Sequence, residues 1–261
     1  MRALRLLGVF ARIGALNELA YRSNFWFQAF ETGTSLATAL GAVVLVFRQT
    51  DALAGWRADE LVALLGVYYL VYGVINLLIA PSLTRFMEDV RQGTLDYTLT
   101  KPADAQLLVS ISDFRIWRLV DVGLGAAVLA VALVRLAPGL GPAQALAFGV
   151  ALLAGTAIVY GFWIVLATCS FWFVRIENIT MVFWSMYTAG RWPVGLYPGW
   201  LRWTLTLVVP VAFAVTVPAE AVAGRLDAAT LAGAVALAAA LLAGSRAFWK
   251  AGLRHYSGAS A

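Results

Sequence analysis

Two long stretches without a single charge constrain this chain more than any other feature. Leu61–Leu83 covers 23 residues and Ala143–Val174 covers 32, and neither contains Asp, Glu, Lys or Arg. A helix that crosses the roughly 30 Å hydrocarbon core of a bilayer needs about 20 apolar residues. Only 13% of the 261 residues are charged and 62% are hydrophobic, too little charge to cover a water-soluble surface. We therefore predict an all-α integral membrane protein.

Five further apolar segments are candidates for membrane helices. They are Phe25–Phe47, Leu119–Val134, Asn178–Gly190, Trp203–Ala219 and Ala228–Ser245. We expect the helix that contains Leu119–Val134 to begin earlier, near Leu107. Pro210 and Pro218 interrupt the Trp203–Ala219 segment, and proline breaks or kinks a helix. The sequence therefore predicts six membrane spans with a re-entrant helical hairpin between spans five and six; the alternative is a true span kinked at Pro210.

The distribution of the 19 Lys and Arg residues favours six spans over seven. With both termini in the cytoplasm, 13 of these cations lie inside and 6 outside, as the positive-inside rule requires. A seven-span arrangement moves the last three cations outside. The cations are scattered singly and form no basic stripe, so the composition does not indicate nucleic-acid binding.

The whole chain, residues 1–261, is expected to form a single transmembrane domain. Residues 1–22 are predicted to form an amphipathic helix in the cytoplasmic interface, because Leu6, Phe10 and Ile13 share one helical face. Residues 84–106 are expected to form a cytoplasmic loop. Residues 191–224, rich in tryptophan and proline, are expected to form the re-entrant hairpin at the outer interface.

The 84–106 loop contains the most informative motif. A charged helix ends at Gly93, where a left-handed cap is expected, and a Leu-Asp pair and Lys101-Pro102 follow. This pattern resembles the coupling helix of the permease subunits of type-2 ABC transporters of the exporter kind, and the Trp249–Ser257 tail resembles the tail of one subgroup. The resemblance implies that the loop docks on an ATPase subunit through Glu88, Asp89, Arg91, Gly93, Leu95 and Asp96. We expect Leu95 to be buried against that partner.

The resemblance also implies what the chain works with. It predicts an ATP-driven exporter in the cytoplasmic membrane of a prokaryote, with a coupling helix between spans two and three. The expected partners are an ABC ATPase subunit, a second copy of the permease or a related permease, and membrane lipids. The sequence has no Gly-x4-Gly-Lys-Ser/Thr phosphate loop, so the chain itself is not expected to bind a cofactor or hydrolyse ATP. The ATPase partner would bind ATP and Mg. The cargo is not indicated.

Polar residues recur along the first span at spacings of four, three, four and three. They are Asn24, Gln28, Glu31, Ser35 and Thr38. This spacing places them on one stripe of the helix. We expect the stripe to face the translocation path or the seam between two permease halves; the alternative is that it only hydrogen-bonds neighbouring helices.

A second polar group precedes and enters the third span: Asp113, Arg115, Arg118 and Asp121. Residues three apart on a helix can pair, so Arg118 and Asp121 are expected to form an ion pair, and Arg115 is expected to pair with a neighbour. An ion-pair network is favoured over a proton relay. No metal site is expected, because no group of His, Cys, Asp or Glu residues has the spacing of metal ligands. Two other functions stay open: an ATP-independent secondary transporter or channel, and a lipid-modifying enzyme that uses Glu31, Asp113 or Asp121.

Overall fold

The computed structural model describes residues 23–136, 141–173 and 177–256, together with Gly8. The predicted interfacial helix 1–22 lies outside the described residues, apart from Gly8. The chain is 81% helical and has no strand in the described ranges, which confirms the all-α prediction.

Apart from a 3₁₀ turn at Val194–Leu196, ten helices follow one another in residues 23–136, 141–173 and 177–256. They are α1 (Ser23–Phe47), α2 (Ala58–Gln92), α3 (Asp96–Leu99), α4 (Ala105–Ser110), α5 (Ile116–Leu136), α6 (Pro142–Phe171), α7 (Glu177–Ala189), α8 (Gly199–Val208), α9 (Ala212–Val222) and α10 (Ala228–Leu253). Helix α2 contains one π-helical turn at Ile75–Ile79, which leads into its charged end.

Five of these helices are long and apolar enough to cross a membrane: α1, α2, α5, α6 and α10. Helix α7 has 13 residues, so it is about 20 Å long and shorter than the hydrocarbon core. Helices α8 and α9 are bent by 79° relative to each other and could together make a sixth crossing. The prediction of a multi-pass membrane protein is confirmed, with five or six apolar helices able to span.

Contacts between helix ends show which ends share a side. Arg225, just before α10, donates to the Gly55 carbonyl oxygen at 2.7 Å, next to the start of α2. At the other end of α10, Trp249 packs on Phe86 of α2 with ring centroids 4.8 Å apart. Gln28, near the start of α1, bonds to Asp121, near the start of α5. The start of α1 and the end of α10 therefore lie on the side of the 84–106 loop.

Helices α2 and α5 pack backbone against backbone because each carries at least one glycine that faces the backbone of the other helix. A Cβ added to Gly66 would lie 2.6 Å from the backbone nitrogen of Leu129, and one added to Gly125 would overlap the Leu70 backbone. Small residues at such positions let membrane helices approach closely and exchange many dispersion contacts. This pair holds the α2 aromatic residues and the α5 polar residues in fixed register.

The third span begins later than predicted. Instead of a continuous helix from near Leu107, the short helix α4 ends at Ser110 and α5 starts with a 3₁₀ turn at Ile116–Arg118. The break is held to α2, because the Arg115 amide donates to the Leu77 carbonyl oxygen and the Ser82 hydroxyl bonds to the backbone of Asp113. These bonds satisfy backbone groups that a continuous helix would satisfy internally.

Candidate functional site

A buried carboxylate joins the first and third long helices. Asp121 is completely buried, and its carboxylate accepts hydrogen bonds from the Gln28 amide at 3.0 Å, the Thr32 hydroxyl and the Arg118 guanidinium at 3.2 Å. Four polar groups thus satisfy one another inside an otherwise apolar contact. The predicted pairing of Arg118 with Asp121 is present, whereas Arg115 has no ion pair with any described residue, so that part of the prediction is wrong. Its side chain is exposed.

The α1 stripe divides between two roles. Gln28 and Ser35 turn towards this chain's own helices, where Ser35 lies 2.9 Å from the Tyr69 hydroxyl. Asn24, Glu31 and Thr38 are exposed, and Thr38 bonds to the Thr34 carbonyl oxygen of its own helix. Part of the stripe therefore packs within the chain, and part of it remains exposed.

Arg191, just after the end of α7, packs on the side of α2 and not at its end. Its guanidinium carbon is 5.4 Å from the ring centre of Tyr68, and Tyr68 is ten residues, or about 15 Å, along α2 from Ala58. Its Nη2 donates to the Ser35 hydroxyl at 3.0 Å, and its Nε is buried without a hydrogen-bonding partner in the described ranges. Ring faces and a hydroxyl, rather than a carboxylate, hold this cation.

Aromatic rings surround this arginine and fill the space between α2, α6 and α7. Neighbouring ring centroids lie about 5–6 Å apart among Tyr68, Tyr69, Tyr72, Trp163, Phe183, Trp184 and Tyr187. The Tyr187 hydroxyl donates to the Tyr68 carbonyl oxygen at 3.2 Å, on the α2 turn that also carries the Arg191 contact. The cluster holds the end of α7 against the middle of α2.

A polar cavity of about 490 Å³ opens beside the buried carboxylate. Its walls come from the start of α1 and from the α4–α5 break: Asn24, Phe27, Gln28, Glu31, Asp113, Arg115, Trp117 and Arg118. The side chains of Glu31, Asp113 and Arg115 make no hydrogen bond or ion pair with any described residue. The cavity therefore brings part of the predicted stripe together with part of the predicted cluster, which the sequence treated as separate sites.

The 84–106 loop is rigid at its start. Glu88 and Arg91 form a two-bonded ion pair, with Nε and Nη2 of Arg91 2.8 and 2.7 Å from the carboxylate oxygens. Gly93 adopts φ 71°, the left-handed cap that the sequence predicted, and the Asp89 carbonyl oxygen accepts from the Thr94 and Leu95 amides. The turn after the helix is therefore fixed by its own backbone bonds.

Leu95 does not face outwards. It is fully buried in this chain's own core, so the expectation that it packs against a partner is wrong. The reversal at Gly93 turns Leu95 back towards the core and leaves Tyr97, 77% exposed, on the outside with Asp96. Tyr97 is the residue that the sequence reasoning missed. A leucine two residues after a glycine cap often packs back on its own helix, and that was the available signal.

The loop is tied to three long helices at once. Phe86 of α2 contacts Phe171 at the end of α6 and Trp249 of α10, with ring centroids 5.6 and 4.8 Å apart. Tyr256 packs on Phe171 at 5.9 Å. The pKa of the Tyr256 hydroxyl is raised mainly by burial and secondly by the nearby Asp96 carboxylate. The chain after α10 therefore lies close to the loop. The base of the loop therefore contacts the ends of α6 and α10.

No group of three or more metal-ligating side chains occurs in the described part of the chain. A family model described as "ABC-2 family transporter protein" matches residues 34–260. No match was found among curated proteins or among solved structures.

Proposed function

Because the chain belongs to the ABC-2 transporter family, we propose that this membrane permease is half of an ATP-driven exporter. Two permease halves, either two copies of this chain or this chain and a related one, would enclose the path. Separate ABC ATPase subunits would bind ATP and Mg. The 84–106 loop and both termini would face the cytoplasm of a prokaryotic cell, where the positive-inside rule places them.

The observation that carries this proposal is the construction of the loop. A docking element needs an exposed surface for its partner and a buried base that contacts the membrane helices, and the loop has both features. Tyr97 and Asp96 are exposed at its tip, while Phe86 and Leu95 are completely buried at its base. ATP binding that favours one arrangement of the ATPase subunits would then favour one arrangement of α2, α6 and α10.

The surface around Tyr97 has the composition of a docking site. The tyrosine supplies apolar area with one polar atom, the kind of side chain enriched in binding hot spots. Glu88, Arg91 and Asp96 lie nearby along the chain as charged rim residues. Glu88 hydrogen-bonds Arg91, which lowers the pKa of its carboxyl and keeps the pair charged at neutral pH. Exposed charges of this kind orient a partner more than they strengthen its binding.

The test is co-purification of the chain with a co-expressed ABC ATPase subunit from the same genome. Tyr97→Ala should weaken docking by roughly 1–3 kcal/mol, the loss typical of a buried interface aromatic, and lower ATPase stimulation accordingly. Trp200→Ala is the matched control, because Trp200 is 70% exposed but far from the loop. The chain purified alone should not hydrolyse ATP. Undiminished docking and ATPase stimulation of Tyr97→Ala would show that the loop is only a connector.

A further inference from the structure

The polar cavity between α1 and the α4–α5 break is lined by charges of both signs, and three of these side chains have no partner among the described residues. Arg118 is already neutralised by Asp121, with the two side chains 3.2 Å apart. Glu31, Asp113 and Arg115 line the same cavity, and none of their side chains forms a hydrogen bond or ion pair with a described residue. Charges at the edge of a membrane are costly unless water, a partner or a ligand satisfies them.

The mixture of charges selects among ligand classes. A simple anion would meet Arg115 but would also face two carboxylates. A simple cation would meet Glu31 and Asp113 but would face a free guanidinium. A head group that carries both an ammonium and a phosphate can satisfy both signs, since guanidinium binds phosphate through several N–H groups and carboxylate accepts from ammonium.

The surroundings of the cavity suit an amphiphile. Phe27 lines it and is 74% exposed, and Trp26 and Phe30, beside it on α1, are 72% and 75% exposed. These rings continue from the polar cavity along the apolar face of α1, where an acyl chain would lie. The volume of about 490 Å³ is within the range of small-ligand sites.

We propose that this cavity binds the zwitterionic head group, ammonium plus phosphate, of a membrane amphiphile. Arg115 binds the phosphate, Glu31 and Asp113 accept from the ammonium, and the acyl chains lie along the exposed rings of α1. This assignment rests on the proposed transport function for its biological meaning, because the bound amphiphile would be the cargo. Binding itself requires neither ATP nor the ATPase.

The experiment measures lipid retained by the purified full-length chain in detergent, by native mass spectrometry. The probes are short-chain phosphatidylethanolamine, short-chain phosphatidylglycerol, which lacks the ammonium, and free O-phosphoethanolamine. The wild-type chain should retain phosphatidylethanolamine about tenfold better than phosphatidylglycerol, the effect of one charge-assisted hydrogen bond. Glu31→Gln should remove that preference, whereas Arg115→Gln should weaken both lipids by about tenfold.

Two controls carry the same charge changes at the other end of α1 or just beyond it. Arg48→Gln and Asp51→Asn alter exposed residues there and should leave retention and preference unchanged. Each variant should elute from a sizing column like the wild type, which separates lost binding from lost folding.

Equal retention of the two lipids by the wild type would overturn the proposal, and so would a preference that survives Glu31→Gln. If free O-phosphoethanolamine displaces bound phosphatidylethanolamine as strongly as added lipid does, the ligand of the cavity would be a soluble zwitterion. That result would overturn the proposal that the ligand is a membrane amphiphile. Failure here leaves ATPase docking through Tyr97 intact, and failure of docking leaves the lipid preference intact, so the two proposals are tested separately.

Discussion

At the scale of single residues, the chain separates charges that hold the fold from charges that remain available. Asp121 is fully buried and accepts from three side chains, while Glu31, on the neighbouring part of α1, is exposed beside the cavity. Removing one member of a buried ion pair leaves the other buried without its partner, which destabilises the fold. Exposed ion pairs contribute little to stability. The two carboxylates therefore differ in what a substitution would change.

Asp121→Ala should destabilise the protein by about 3–5 kcal/mol, because Arg118, Gln28 and Thr32 lose their shared acceptor. Asp59→Ala is the matched control: Asp59 also pairs with an arginine, Arg135, at 3.2 Å, but its side chain is 41% exposed. That variant should cost less than about 1 kcal/mol. Thermal unfolding in detergent measures both, and equal losses would contradict the structural role given to Asp121.

Asp104 provides a pH-dependent test. Its hydrogen bond with Arg246 lowers the pKa of its carboxyl, and the same carboxylate caps α4 by accepting from the Leu107 amide at 3.0 Å. Because the pKa of this carboxyl is lower in the folded state, its ionised form stabilises the fold when the pH is above the unfolded-state pKa of about 3.9. This stabilisation is lost as the pH falls through the folded-state pKa.

Asp104→Asn keeps a good helix cap but removes the charge. The variant should therefore unfold at a lower temperature than the wild type at pH 7, by an amount equivalent to less than about 1 kcal/mol, because the pair is half-exposed. The difference should shrink as the pH falls below 4. A difference that is constant between pH 7 and pH 3.5 would show that the Arg246 pair contributes nothing.

At the scale of elements, the sequence predicted the helices that coincide with long apolar runs well and the break before α5 poorly. Apolar runs of more than about 20 residues have few alternatives to a membrane helix, so α1 and α6 begin and end close to the predicted residues, whereas α2 begins near Leu61 but continues past Leu83 to Gln92. The break before α5 was missed because bonds from Arg115 and Ser82 to distant parts of the chain stabilise it. Likewise, the sequence spacing places Gln28 and Glu31 on one stripe of α1. Only the packing of α1 against α5 determines that Gln28 contacts Asp121 while Glu31 lines the cavity.

The α2–α5 contact yields an element-scale prediction. A methyl group at Gly125 would overlap the Leu70 backbone, and two packed backbones cannot yield as a flexible side chain can. Gly125→Ala should therefore cost about 1–3 kcal/mol or more. At Gly123, two residues away on the same helix, an added Cβ meets nothing within 4 Å.

Gly123→Ala should thus be neutral or stabilising by up to about 1 kcal/mol, because alanine favours the helix. Thermal unfolding of the two variants in the same detergent gives the comparison. If both variants unfold at the wild-type temperature, the close approach of α2 and α5 is not what holds the pair together.

At the scale of the whole molecule, the contacts between helix ends limit how the chain can cross a membrane. The 84–106 loop, the end of α6 and the end of α10 meet through Phe86, Phe171 and Trp249. Residues 55 and 225 meet at the opposite end through the Arg225 hydrogen bond. The segment from α7 to α9 must therefore pass from one side to the other, although α7 alone is too short to do so.

This arrangement predicts an accessibility pattern. In a Cys169→Ser background, which removes the only cysteine, single cysteines at exposed positions report the side of the membrane. Gln92→Cys and Arg254→Cys should react only after cells are opened, and Arg57→Cys should react with an impermeant reagent on intact cells. Helix α2 separates residues 57 and 92, and the contact of Trp249 with Phe86 places the end of α10 on the side of the 84–106 loop. The positive-inside rule sets which side is which. Labelling of Arg254→Cys from outside would mean that the segment from α7 to α9 does not make a net crossing, which would contradict the topology inferred from the contacts between helix ends.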